Sequence, residues 1–488
     1  MEATGKDLLS DLLDEMLHHI LSFLGDNPIV RLQSLSRRFQ TICLTSPSLC
    51  LRHRPPGSFS LRYSSRNCSC RHVSNFMNSV LQHRPRALKI NKVSFSSFCK
   101  RSRHRKLHTH WILNLHEAFL VDELSVEYQL PCVFKILPRL GSLKVLKLDM
   151  LRCFSVKLPV MKLTSLETLY MRCIVPDDPT DEWVSQSFPS LKHLSLIDVF
   201  VKKKDVMKTK QRGLTIRSSC LEDLVIHRCC CYKTFRVITE NLRALSYATC
   251  ESYHCYHRVD EDELSLEISA PLLQTFSLDG FPGQLRCEGT FKNLNIASLT
   301  ETDRLSSTQL NSCIHLSKAL CKGTILHTDM RLLEGLYKIR KTPISFENIR
   351  HVQIQISRWW WIYAYDTGDM VSNFLERSLP NVETLTLMND SSKAIVEKVH
   401  RYDEEIVRVC GVAERREIKR LRKVEFIIRE MNEMMAFLIG VLKEWCVDLE
   451  EMILNYPSHY HKSITRYLES FDMAYNYAPL SINFLLDD

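Results

Sequence analysis

The sequence contains little glycine and lacks the short motifs of several large enzyme classes. Only 13 of its 488 residues are glycine, which argues against a glycine-rich phosphate-binding loop. It contains no Gly-x-Ser-x-Gly, P-loop or His-Glu-x-x-His pattern, any of which would supply a nucleophile, a phosphate cradle or zinc ligands. The sequence therefore predicts no enzyme, no catalytic residue and no cofactor.

Long apolar runs and a secretory leader are missing as well. No stretch approaches 18 consecutive apolar residues, so a transmembrane helix is not predicted. Acids such as Glu2, Asp7 and Asp11 occupy the region where a signal peptide begins with basic residues. The 19 cysteines are an odd number in irregular clusters, and without a leader they indicate reduced thiols in the cytoplasm or the nucleus.

Acidic residues are absent from residues 27–116. This segment holds 17 Lys and Arg, while the remaining 48 basic and 56 acidic residues leave the rest of the chain at −8. Residues 100–106 (KRSRHRK) favour nucleic-acid binding or nuclear import, but no RNA- or DNA-binding module accompanies them. A basic segment also attracts an acidic protein partner, and nucleic-acid association is the alternative.

A six-residue signature, apolar-x-x-apolar-x-apolar, recurs through the chain. Its copies begin at residues 121, 143, 166, 191, 221, 242, 273, 294, 349, 382, 421 and 449. Up to residue 294 they begin 21 to 31 residues apart, as in leucine-rich repeats, whose strands stack over one shared core. The proline-containing linkers 149–165 and 172–190 argue against regular helices between the strands. The ninth position varies, with Ile174, Val199 and Cys229 among its residues, and this variation predicts an irregular arc.

Two further segments carry helical spacing. Residues 306–321 have Leu310, Ile314, Leu316 and Leu320 and predict a helix across the stack. Residues 421–456 predict a strand, a helix from about residue 432, and a second strand. One face of the helix predicted from about residue 432 carries five apolar side chains, Met434, Leu438, Val441, Leu442 and Trp445.

The first fifty residues predict three short helices. The first carries an apolar stripe at helical spacing, formed by Leu13, Leu17, Ile20, Leu21 and Leu24, and the stripe of the others is Leu32, Leu35, Phe39 and Ile42. So small a unit gains stability by burying its apolar face. That face packs either against a partner protein or against the rest of this chain.

Residues 7–44 resemble an F-box. The resemblance rests on the opening at 12–15 (LLDE), the helix at 20–24 (ILSFL) and the ending at 35–39 (LSRRF), with Leu13 in place of the usual proline and Phe39 in place of the usual tryptophan. It implies docking of a Skp-type adaptor of a cullin-RING ubiquitin ligase. The implied contact residues are Leu12, Leu13, Leu17, Ile20, Leu21, Leu24, Leu35 and Phe39.

The C-terminal unit is similar to the FBD module that follows leucine-rich repeats in many plant F-box proteins. The combined resemblance implies an α/β protein with four parts. These are an F-box (1–50), a basic helical and strand-containing linker that caps the repeats (51–120), a leucine-rich-repeat solenoid (121–390) and an FBD-like strand-helix-strand cap (391–488). It also implies a non-catalytic substrate-recognition subunit of an SCF-type ligase, or alternatively a repeat scaffold without ligase coupling.

Two clusters contain residue types that are common in binding sites. The aromatic cluster Trp359, Trp360, Trp361 and Tyr363 follows a predicted strand, and it either contacts a target protein or packs over neighbouring repeats. The four Cys and His residues within 250–257 are too close in sequence to close around one zinc ion, so no metal site is predicted.

Overall fold

The computed structural model divides the chain into two compact units, Met1–Thr239 and Glu240–Asp488. It describes residues 11–23, 32, 35–53, 70–97, 102–127, 139–156, 162–176, 182–199, 213–229, 232–249, 264–300, 306–320, 322–338, 345–356, 367–389, 418–429, 438–439, 442–443, 445–457, 461 and 481–487. Each unit contains a large parallel sheet together with α-helices, which confirms the mixed α/β class.

Seven strands of the first unit lie side by side in one parallel sheet. In spatial order they are β1 (Ser48–His53), β2 (Lys92–Ser97), β3 (Glu123–Glu127), β4 (Val145–Val156), β5 (Thr168–Pro176), β6 (His193–Ile197) and β8 (Asp223–His227). Two further strands, β7 (Gly213–Ser218) and β9 (Thr234–Thr239), pair with each other in parallel.

Five α-helices are described in the first unit. They are α1 (Asp14–Phe23), α2 (Arg37–Thr45), α3 (Cys70–His83), α4 (Ser102–Phe119) and the short α5 (Trp183–Ser187). Ser36 caps α2, since its hydroxyl accepts the backbone N–H of Phe39 at 3.2 Å. Helix α2 therefore begins directly after Ser36.

The second unit has the same plan. Its main sheet runs β10 (Ala244–Ala248), β12 (Thr275–Asp279), β14 (Ile296–Thr300), β15 (Ile325–Asp329), β16 (His351–Ile356), β17 (Thr384–Asn389), β18 (Lys423–Ile427), β19 (Glu451–Pro457) and β20 (Ser481–Asp487). Strands β11 (Ser265–Ser269) and β13 (Gln284–Cys287) pair with each other in parallel. The helices are α6 (Ser307–Ala319), α7 (Met330–Lys338) and α8 (Thr367–Asn373), and a π-helical turn follows at Phe374–Ser378.

Every predicted copy of the signature contains a strand, and hydrogen bonds align the copies. In each copy the fourth and sixth residues point into the core, as Leu146 and Leu148 do. The carbonyl of the second residue accepts two backbone N–H groups of the next copy. Lys144 O thus accepts Glu167 N at 2.8 Å and Thr168 N at 3.0 Å. Because this pattern repeats, neighbouring copies align without a shift in register.

The eighth residue of several copies adopts a left-handed backbone conformation. The residues are Cys173 (φ 54°), Asp198 (φ 52°), Arg228 (φ 55°) and Gly280 (φ 78°). This turn places the ninth residue inside, where Ile174, Val199, Cys229 and Phe281 are all buried. The variable ninth position is therefore filled by side chains of different size within the same backbone geometry.

Four strands of the main sheets lie outside the predicted copies of the signature. Residues 90–95 (INKVSF), which overlap β2, match the signature completely. The segments that contain β1, β15 and β20 match it only in part. In the copy that contains β15, Gly323 and Thr328 stand at two of the three apolar positions. The sheet of the first unit therefore begins at β1, within the predicted F-box and linker regions.

Helix α6 confirms the helix predicted over 306–321, but its buried face is only partly the predicted one. Leu316 and Leu320 are buried, whereas Leu310 and Ile314 are half-buried, and the polar residues Gln309 and Ser312 are buried as well. The Ser312 hydroxyl donates to Gly283 O and accepts from Leu285 N, both at 3.0 Å. Polar side chains thus cover the edge of β13, which a pattern of apolar residues does not reveal.

The C-terminal unit contains both predicted strands, β18 and β19, and they pair in parallel. Between them Leu438, Leu442 and Trp445 are helical and buried, as their spacing predicts. Met434 and Val441 lie outside the described residues. Strand β20 extends the sheet beyond β19.

Candidate docking surface

Helix α1 keeps three large apolar side chains in solvent. Leu13 and Met16 are 66% and 51% exposed, and Ile20 is 40% exposed. The helical hydrogen bond from Leu17 N to Leu13 O, at 3.1 Å, places Leu13 in the first turn. Positions 13, 16 and 20 therefore lie on one face of the helix. Leu17, one position round the helix, is only 2% exposed and belongs to the core.

An arginine connects this face to the start of α2. Arg38 donates from Nε and Nη2 to Asp14 Oδ1 at 3.0 and 2.8 Å, and Nη2 also bonds to Leu12 O. Both charged side chains are largely exposed, so the ion pair contributes at most about 1 kcal/mol. Its effect is geometric, because it holds the N-terminal end of α2, which lies just after Leu35, against the start of α1.

Leu35 is the fourth exposed apolar side chain of this region. It precedes α2 by two residues and is 69% exposed. We call Leu13, Met16, Ile20 and Leu35 the docking surface. Of the eight large apolar side chains that are exposed in the described part of the chain, four belong to it, and the others are Leu88, Leu120, Leu272 and Val447. Such clustering marks an interaction site, whereas single exposed apolar residues do not.

The contact residues implied by the F-box resemblance separate into three groups. Leu13, Ile20 and Leu35 are exposed on the docking surface, and Leu12 and Phe39 are half-buried. Leu17 is buried, and its side chain packs inside the first unit. Leu21 belongs to α1, and Leu24 lies outside the described residues.

Met16 is a surface residue that the sequence did not single out. Its signal was present, since it lies three residues after Leu13 and four before Ile20. The stripe of leucine and isoleucine residues contains the exposed Leu13 and Ile20 as well as the buried Leu17. Which edge of a stripe faces solvent depends on where α2 and β1 pack, and spacing alone does not contain that information.

The other candidate clusters fall largely outside the described residues. Trp359, Trp360, Trp361 and Tyr363 lie there, as do residues 250–257 and part of the basic run at 100–106. Residues 102–106 form the start of α4. Within the described ranges, no three His, Cys, Asp or Glu side chains are placed to hold a metal ion.

Three cysteines are poor nucleophiles. Burial raises the pKa of Cys43 to about 11 and the pKa values of Cys287 and Cys446 to about 12. These thiols are protonated at neutral pH, whereas a reactive cysteine needs its thiolate form. Cys43 and Cys446 are buried and fill core space, whereas Cys287 is half-buried.

A polar cavity of about 570 Å³ lies in the second unit. Its lining residues are Arg350, Asn381, Glu383, Arg420, Arg422, Asp448 and Glu450. Arg350 approaches Glu383 at 3.6 Å and Arg422 approaches Glu450 at 3.8 Å. The three positive and three negative charges balance, so the cavity does not favour an ion of either sign.

Comparisons with known proteins add no identification. The chain matches no protein-family model, and no curated protein is similar to it in sequence. Within the described residues, no helix is both long and apolar enough to cross a membrane.

Proposed function

We propose that the protein is a non-catalytic substrate-recognition subunit of an SCF-type ubiquitin ligase. The docking surface binds a Skp-type adaptor of a cullin-RING complex, and the parallel sheets bind a target protein. The observation that carries the proposal is the concentration of exposed apolar side chains on α1 and at the start of α2. These side chains lie within residues 7–44, the 38 residues that resemble an F-box.

The proposed target-binding face is the outer face of the sheets. Along strands such as β6 and β12, buried side chains alternate with half-buried or exposed ones. The buried set forms the core, and the other set includes short polar residues such as Ser195 and Ser277. A parallel array of such residues offers a target protein a continuous surface whose specificity depends on the individual side chains.

Substitutions in the docking surface are expected to lower the affinity for the adaptor by a measurable amount. Fully burying a Leu or Ile side chain contributes about 1.5–3 kcal/mol. Replacing Leu13 and Ile20 with aspartate removes two such contributions and places charges in the interface. We expect a loss of at least about 3 kcal/mol, or roughly 100-fold in affinity. Both residues are exposed, so the fold of the chain is expected to be retained.

The test is titration calorimetry of the full chain with a purified Skp-type adaptor. Wild type is expected to bind, and Leu13→Asp/Ile20→Asp is expected to bind at least about 100-fold more weakly. Leu272→Asp/Val447→Asp is the matched control, because it adds two charges at exposed apolar positions of the second unit. Absence of wild-type binding, or equal binding by both double variants, would reject the proposal.

A further inference from the structure

Arg84 is a buried cation in the segment that lacks acidic residues. Its side chain follows α3 and is only 4% exposed. Burial lowers its pKa to about 10, so the guanidinium stays charged at neutral pH. A buried charge is costly unless hydrogen bonds satisfy it. In this chain backbone carbonyl groups supply those bonds.

Four carbonyl oxygens surround the guanidinium group. Nη1 donates to Leu44 O and Ser46 O, both at 2.7 Å. Nε donates to Leu88 O at 3.1 Å, and Nη2 donates to Lys89 O at 2.8 Å. The first two carbonyls lie at the C-terminal end of α2, where the helix dipole favours a positive charge. The other two belong to the loop before β2.

These contacts lie where the docking helices meet the sheet. Helix α2 ends at Thr45 and β1 begins at Ser48, so only two residues separate them. Pro47 O accepts the backbone N–H groups of Asn91 at 2.9 Å and Lys92 at 3.3 Å, which joins β1 to β2. The Arg84 guanidinium also lies 5.5 Å from the ring centroid of Phe119, the last residue of α4.

We propose that Arg84 is a positioning residue that fixes the docking helices in one orientation relative to the sheet of the first unit. One side chain joins the end of α2, the loop before β2 and the end of α4. A rigid joint keeps a partner at the docking surface and a partner at the sheet at a constant separation. This consequence rests on the proposed function, whereas the joint itself does not.

Lysine cannot reproduce this joint. Its ammonium group is a compact charge with three donors, and it lacks the planar fork that reaches four carbonyls at once. Arg84→Lys therefore keeps the charge and much of the aliphatic stem but leaves carbonyls without donors. Arg84→Met removes the charge as well. Arg86→Met is the matched control, because Arg86 is exposed and lies two residues further along the chain.

The experiment measures the joint in the full chain without any partner. Spin labels introduced as bio-orthogonal residues at Gln40 in α2 and Gln186 in α5 report the distance distribution between the docking helices and the sheet. Amide hydrogen exchange reports opening at Asn91 and Lys92. Arg84→Lys is expected to broaden the distribution and to speed exchange at those amides by about tenfold, as for a lost buried charge-assisted bond. Arg86→Met is expected to match wild type.

Three outcomes would overturn the proposal. The first is an Arg84→Lys chain with the distance width and amide exchange of wild type. The second is equal broadening by Arg86→Met. The third is global unfolding of Arg84→Lys, which would assign Arg84 to overall stability and not to orientation. Adaptor affinity is measured separately and is expected to stay within about twofold of wild type, because the docking surface is unchanged.

Discussion

Replacing Gly280 with alanine tests the geometry of the turn that follows each strand. Gly280 follows β12 and adopts a φ of +78°. Its N–H donates to Thr300 O at 2.9 Å, which aligns the turn with β14. A methyl group on its Cα would lie 1.9 Å from Thr249 Oγ1 and 3.0 Å from Thr249 Cβ. Rotation of the threonine side chain moves the oxygen but not Cβ, so the backbone has to shift.

The expected cost combines three terms. An L-residue in the left-handed region loses about 1–2 kcal/mol, and overpacking adds about 1–3 kcal/mol. Alanine also restricts the unfolded chain and returns about 0.4–1 kcal/mol. The free energy of unfolding is therefore expected to fall by about 1–4.5 kcal/mol.

Gly289 provides a matched control. Its φ is +80°, and an added methyl group would meet nothing within 4 Å. Gly289→Ala thus measures the backbone term alone, which after the entropy gain is about 0–1.5 kcal/mol. In a double-mutant cycle, Thr249→Ala removes the closest atom, and the cycle is expected to show at least about 1 kcal/mol of relief for Gly280→Ala.

The assay is urea unfolding followed by circular dichroism, with amide exchange in β12 and β14 as the local reporter. The exchange data restrict the comparison to the second unit, since the chain has two compact units. If Gly280→Ala destabilises these strands no more than Gly289→Ala does, the reasoning about close packing at Thr249 is refuted.

Two further predictions concern titratable groups. Burial raises the pKa of Glu123, but hydrogen bonds from Lys92 and Lys147 outweigh that effect and leave the pKa below its ordinary 4.5. The stabilisation is present above the unfolded value and is lost as pH falls through the folded one, so Glu123→Gln is expected to cost up to about 1 kcal/mol at pH 7. The urea midpoints of wild type and variant should converge below pH 4.5, and a constant gap would contradict the linkage. In iodoacetamide labelling of the folded chain at pH 8, mass spectrometry should find exposed Cys220 modified first, half-buried Cys287 more slowly, and buried Cys43 and Cys446 protected. Equal labelling would contradict the burial of these thiols.

The strands were predictable because burial imposes a simple pattern. Alternate residues of a strand face the core, and a repeat of that pattern requires repeated apolar residues. Where Gly323 and Thr328 replace two of the apolar residues, β15 still forms, because β14 and β16 on either side provide hydrogen-bond partners. The local pattern is not needed when the neighbouring strands define the position.

The strands outside the main sheets were not predicted, for a different reason. They are β7 and β9 in the first unit and β11 and β13 in the second. Segments such as β7 (GLTIRS) and β9 (TFRVIT) do alternate. They lie in the linkers between copies of the signature, where no period repeats. Their partners are other linker segments, so the pairing depends on how the main sheet brings the linkers together.

The sequence by itself determined the composition of the core and the position of the docking helices within the chain. Apolar periodicity follows from local geometry, and any sequence with these spacings buries one face of each element. Tertiary structure alone decided that Leu17 is buried while Leu13, Met16 and Ile20 remain in solvent, because α2 and β1 cover one edge of the stripe. It also decided the role of Arg84. A charge is stabilised in the interior only when distant parts of the chain bring their carbonyl groups to it.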